Sequence, residues 1–274
     1  MTTTGTNPTV PAPAPTTGTS PDRAPVTAVA AGRPDLRPVP FRRTTRVELR
    51  KMVDTRAGRW LLAIVTAAGL ATIAATLIWS SGPHGLTDFL GYAAFPLSLL
   101  LPVIGIMGAT AEWTQRTGLV TFTLEPRRGR VVAAKLVAAV LLGLAVLAAA
   151  VAASALATMA TGSAWDLTLP MLAGLAAGLL LFVLQGVAFG FAFLNTPAAI
   201  VASLLLPTVW TIVGGLVPSV QRASEWLNLT VTTGPLLNGT MAGDDWAKLA
   251  ASAALWIGLP LAVGTWRVLT REVK

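Results

Sequence analysis

Six stretches of twenty or more residues, nearly bare of charge, constrain this chain more than any other feature it carries. They cover residues 60–80, 89–111, 131–160, 169–194, 198–217 and 249–268. At about 1.5 Å per residue, each is long enough to cross a hydrocarbon core of roughly 30 Å. No water reaches that core, so a backbone placed there must satisfy its own N–H and C=O groups, as a helix does. The sequence therefore predicts an all-α, multi-pass membrane protein with six transmembrane helices. Composition agrees, because 12% of the 274 residues are charged, against about 25% in soluble domains. Pro96 and Pro102 are expected to bend the second helix, and Pro260 lies inside the sixth. The third stretch is longer than a bilayer needs and is expected to tilt or to project into water.

The chain carries 20 Lys plus Arg against 12 Asp plus Glu, a net charge of +8. In a soluble protein that excess would point to nucleic acid. Here its placement gives topology instead, and no nucleic-acid partner is expected. Ten of the cations precede the first stretch, five surround the loop between the second and third, and three, Arg267, Arg271 and Lys274, stand at the C-terminal end. Only Arg222 and Lys248 fall on the other side. Basic loops stay cytoplasmic, so both termini and the 112–130 loop are expected there. Residues 1–43, rich in Pro, Thr and Ala, have no apolar periodicity and read as a disordered cytoplasmic tail without a secretory signal. Residues 44–274 form the membrane domain.

At the start of that domain, Thr45 and Glu48 have the spacing of a capping box. Leu49, Met52, Val53 and Trp60 share one helical face, while Arg46, Glu48, Arg50, Lys51, Asp54, Thr55 and Arg56 supply polar groups around it. This pattern predicts an amphipathic helix over 44–59 lying in the membrane interface, against lipid headgroups; the plainer alternative is a basic flank of the first span. Residues 219–246 hold Trp226, Leu229, Leu236, Leu237 and Trp246, too apolar for a solvated loop and too broken to span. They are expected to form an interfacial or re-entrant cap on the outer side. The sequons at Asn228 and Asn238 carry no weight by themselves. In the fourth stretch Gly174, Gly178, Gly186 and Gly190 form two GxxxG units on one face, which let helix backbones approach closely. Such a face can serve a subunit interface or a contact within the chain.

Several chemistries are missing. No GxxxxGK[ST] occurs, so the chain lacks the loop that cradles nucleotide phosphates. Cysteine is absent and His84 is the one histidine, which leaves a Ser–His hydrolase, an HExxH protease and a His-based metal site unsupported. No metal and no catalytic residue are expected. Ionisable groups within membranes mark ion and proton routes. Asp88 and Lys135 sit at the ends of the apolar stretches, and Gln185 is the most polar residue near a midpoint. Energy for uphill transport is therefore expected to enter from outside the chain, through the charged loop between the second and third stretches.

That loop carries Glu112-Trp113, Arg116-Thr117-Gly118, Thr121, Pro126-Arg127-Arg128 and then Ala134-Lys135 at the opening of the third stretch. In this order, and with the segment over 48–62 before the first span, the chain resembles the ABC-2 type permeases, the membrane subunits of bacterial ABC exporters. The resemblance runs from Thr44 to the C-terminus. It implies a dimer with a second copy or a paralogue, in the bacterial cytoplasmic membrane, standing on separate ATPase subunits that hold the ATP and Mg. Glu112, Trp113, Arg116, Thr117, Gly118, Pro126, Arg127 and Arg128 would belong to the coupling region that meets the ATPase, and Glu48, Arg50, Lys51, Thr55 and Arg56 to the elbow helix. The proline-rich tail before Thr44 is not part of the family pattern, and the stretch at Arg116-Thr117-Gly118 is shorter than the family often has. A self-powered secondary transporter or channel is the alternative function, with an intramembrane hydrolase behind it.

Overall fold

The computed structural model describes residues 1, 39–80, 82–115, 117, 121, 123 and 127–270. The expected tail therefore lies outside the described residues as far as residue 38, apart from Met1, and so do Arg116, Gly118 and Pro126. Every regular element described is helical. An N-terminal helix α1 (Phe41–Asp54) leads into α2 (Arg56–Trp79), α3 (Leu86–Thr114), α4 (Arg128–Thr161), α5 (Leu169–Phe193) and α6 (Thr196–Leu216). Three short helices follow, α7 (Pro218–Leu227), α8 (Leu229–Thr232) and α9 (Gly234–Leu237). The last helix, α10 (Asp245–Thr270), runs through a π-helical turn at Ala254–Gly258. Six of these helices, α2 to α6 and α10, are long and apolar enough to cross a membrane. The protein is an all-α, multi-pass membrane protein.

Local chemistry sets the helix ends. The Thr55 hydroxyl accepts from Gly58 N at 3.0 Å to start α2, and Asn195 Oδ1 accepts from Ala198 N at 3.0 Å to start α6. Each acceptor satisfies a free N–H of the first turn. Leu194 closes α5 in the left-handed region, at φ 51°, so a single strained residue turns the chain directly into the Asn195 cap. Helix α3 continues through Pro96 and Pro102. In α10 the π turn ends at Gly258, two residues before Pro260, which has no N–H to return to the preceding turn.

The expected helix over 44–59 is corrected. It begins at Phe41, opened by Pro40 with no side-chain cap, and it breaks at Thr55, whose extended backbone separates α1 from α2. Thr45 and Glu48 are therefore interior helical residues rather than a capping box. Trp60 belongs to α2 and is 71% exposed. The face that α1 buries consists of Thr45, Glu48 and Met52, with Leu49 and Val53 packed beside it.

Helices α3 and α5 form the centre: 56% of the apolar window of each is buried, against 17–28% for the other four. Glycine makes this pairing possible. A Cβ on Gly186 would overlap the Pro102 carbonyl, and one on Gly190 would meet Ala109 and Ile106. Gly174 and Gly178 on the same helix instead receive Leu236 and Leu237 of α9. All four glycines of the GxxxG pattern thus serve contacts within the chain. Gly178 lies nine residues beyond Leu169, so the outer segment reaches roughly 13 Å down the side of α5. It is held there by Asn228, buried at 1% exposure, whose Nδ2 donates to Thr211 Oγ1 at 2.8 Å. Trp256 Nε1 also donates to Leu227 O at 2.6 Å. Large apolar side chains such as Ile78, Leu156, Leu205 and Ile212 remain exposed on the surrounding helices, as lipid-facing residues do.

Candidate functional site

The ends of α3 and α4 that flank residues 115–127 meet at a buried cluster of four charges. Glu112 is in the last turn of α3, Lys135 is about two turns into α4, and α1 brings Glu48 and Lys51. Lys135 Nζ donates to Glu48 Oε2 at 2.6 Å, to Glu112 Oε1 at 2.8 Å and to the Gly108 carbonyl at 2.8 Å. An ammonium has three protons, and all three are used. Lys51 Nζ donates to Glu48 Oε1 at 2.7 Å and to Glu112 Oε1 at 3.1 Å. Glu48, Glu112 and Lys135 are 2%, 4% and 3% exposed. Lys51 closes the outer side of the cluster, and the Met52 side chain covers it on Gly108.

Two carboxylates and two ammonium groups make the cluster neutral, which is the condition for keeping charges out of water. Burial works against the charged form of Lys51, yet Glu112 and Glu48 beside it outweigh that and hold its pKa above the ordinary 10.5. A buried ion pair adds little net stability over well-packed apolar residues, but removing one partner costs about 3–5 kcal/mol. Such a cluster fixes one relative position of α1, α3 and α4 and penalises intermediate ones. Among the described residues no group of three or more His, Cys, Asp and Glu is placed to hold a metal ion.

The residues singled out from the sequence divide into three sets. Glu48, Lys51 and Glu112 enter the cluster. Glu112 therefore turns its carboxylate inward instead of presenting it at a surface. Trp113 packs half-buried against the core. Thr117 is exposed, and its N–H donates to Glu112 O at 3.0 Å. Arg128 donates to the Val268 carbonyl at 2.9 Å, at the end of α10, where a cation is favourable. Arg267 does the same to Ala192 O near the end of α5, and Arg130 donates to Val39 O at 2.8 Å. Arg50, Arg56 and Arg127 are exposed, and Thr55 is the cap of α2.

Sequence reasoning missed the pairing of Glu48 with Lys135, 87 positions apart. A signal was present. Thr45, Glu48 and Met52 share a helical face, and Lys135 is the one cation within the apolar run 131–160. Two lone opposite charges on otherwise apolar surfaces call for each other. Compared with known proteins, the chain matches no family model and no curated sequence.

Proposed function

We propose that the chain is the membrane-spanning permease subunit of an ATP-driven exporter of the ABC-2 type. It would work as a dimer with a second copy or a paralogue in a bacterial cytoplasmic membrane, and be powered by separate ATPase subunits docking on the 111–130 loop from the cytoplasmic side. The observation that carries this reading is the Glu48–Lys51–Glu112–Lys135 cluster at the foot of that loop. A pull on the loop acts on α3 through Glu112 and on α4 through Lys135, and Glu48 passes it to α1. A tie of this kind turns a local movement into a rigid-body one. Glu112 enters the proposal as an internal link. The exposed Arg127 and Thr117 supply the contact surface. The absence of a phosphate-binding loop in the sequence fits an energy source on another chain.

A proton-driven transporter is the second reading, favoured by the same cluster, since buried ionisable groups mark proton routes. Against it, Glu48, Glu112 and Lys135 are the only buried charged residues described, and no titratable chain continues toward the far end of the bundle. The test is copurification of this chain with an ABC ATPase subunit from the same genome. A stable complex is expected, weakened by Arg127→Glu without loss of permease stability. Transport by the lone chain in liposomes under a proton gradient, with no ATPase present, reverses the order of the two readings.

A further inference from the structure

At the end of the bundle away from the basic loop, α3, α5 and the α8–α9 segment enclose a cavity of about 580 Å³, a size typical of ligand sites. Its α3 wall is graded. Asp88, Tyr92, Phe95 and Leu99 all line it, and their spacing of four, three and four residues places them on one helical stripe. Asp88 is in the first turn with its side chain 49% exposed. One turn below, Tyr92 and then Phe95 stand exposed on the wall, and Leu99 lies roughly 16 Å beyond Asp88 along the axis. Leu175 and Leu179 of α5 line the cavity as well.

The electrostatics of this cavity have one sign. No Lys or Arg lines it. Asp88 accepts from Gly85 N at 2.9 Å, and the His84 Nδ1 lies 4.0 Å from its Oδ2. Asp166 lies nearby, accepting from Thr87 N at 2.9 Å. Neither carboxylate is paired with a Lys or Arg among the described residues. The open groove between α4 and α5 is different: Leu144, Leu147, Leu169 and Leu172 line it and no polar side chain does, so it offers nothing to a charged head.

We infer that the cavity between α3, α5 and the α8–α9 segment binds a hydrophobic cation. The positive group lies against Asp88 and over the Tyr92 and Phe95 rings, whose faces attract cations. The apolar body lies against Leu99, Leu175 and Leu179. This binding belongs to the chain itself and does not depend on the transport reading.

The test uses tetraphenylphosphonium and tetraphenylborate, ions of one shape and opposite charge, on the purified full chain in neutral detergent. Saturable binding of the cation is expected, at least about tenfold tighter than the anion. Asp88→Asn keeps an acceptor for Gly85 N, so the α3 start survives. It should weaken the cation by about tenfold and bring the two ions to similar affinity. Gly91 lines the cavity with open space where a Cβ would stand, so Gly91→Trp should fill it and abolish cation binding with the fold intact. Equal affinity for both ions in the native chain overturns the inference. So does unchanged cation binding in either variant.

Discussion

Lys135→Met removes an ammonium buried at 3% exposure while keeping an unbranched side chain of similar length. It deletes the bonds to Glu48 Oε2, Glu112 Oε1 and the Gly108 carbonyl. Two buried carboxylates are then left with Lys51 alone, and the cluster goes from neutral to one net negative charge. Breaking a buried ion pair from one side costs about 3–5 kcal/mol, a large share of a total stability of roughly 5–15 kcal/mol. Glu112→Gln breaks the same cluster from the other side and is expected to cost a similar amount. The double variant leaves Glu48 opposite Lys51 and is neutral again. It retains only the penalty of lost hydrogen bonds, about 1–3 kcal/mol. The two single losses therefore greatly exceed the double loss, and the coupling is favourable by several kcal/mol. Reversible unfolding in mixed micelles of rising dodecyl sulfate fraction, followed by circular dichroism, measures all three. A Lys135→Met loss below about 1 kcal/mol, or a double variant equal to the sum of the singles, refutes the reasoning.

Gly186→Ala drives a methyl into the Pro102 carbonyl and should cost about 1–3 kcal/mol, whereas Gly215→Ala, with open space around its Cβ, should be neutral or slightly stabilising. The same unfolding assay compares them. Asn228→Ala strips the α8 cap and removes the donor to Thr211 Oγ1, which keeps its bond to the Pro207 carbonyl, with an expected loss of about 0.5–2 kcal/mol, read as a drop in thermal midpoint. Lys51 has a folded pKa raised above 10.5, so its contribution is complete below pH 10.5 and fades as pH climbs through the folded value. The stability gap between the native chain and Lys51→Met should accordingly narrow above that pH, and a gap that stays constant across the alkaline range contradicts this.

The number and order of the spanning helices were legible in the sequence because each is specified locally. A run such as 169–194 has no stable alternative in lipid, and Thr55, Thr168 and Asn195 mark their helix starts with side chains that reach only three residues on. The ends set by Thr55 and Asn195 fall a few residues from the limits of the apolar runs. The capping box at Thr45 and Glu48 failed for a physical reason: short-range spacing is the same for a cap and for two residues on one buried face, and only a neighbour separates them. The neighbour is Lys135.

What the sequence determined by itself, then, was the solvent of this protein and the helices that solvent requires, since hydrocarbon acts on every residue of a run regardless of the rest of the chain. The tertiary structure alone decided which helix faces are shared. It assigned Gly174 and Gly178 to the outer segment and Gly186 and Gly190 to α3. It also turned Glu112 inward to close a charge cluster with Lys135 and Lys51, 23 and 61 positions away. Pairings of that range depend on how whole helices stack, and no local pattern carries that information.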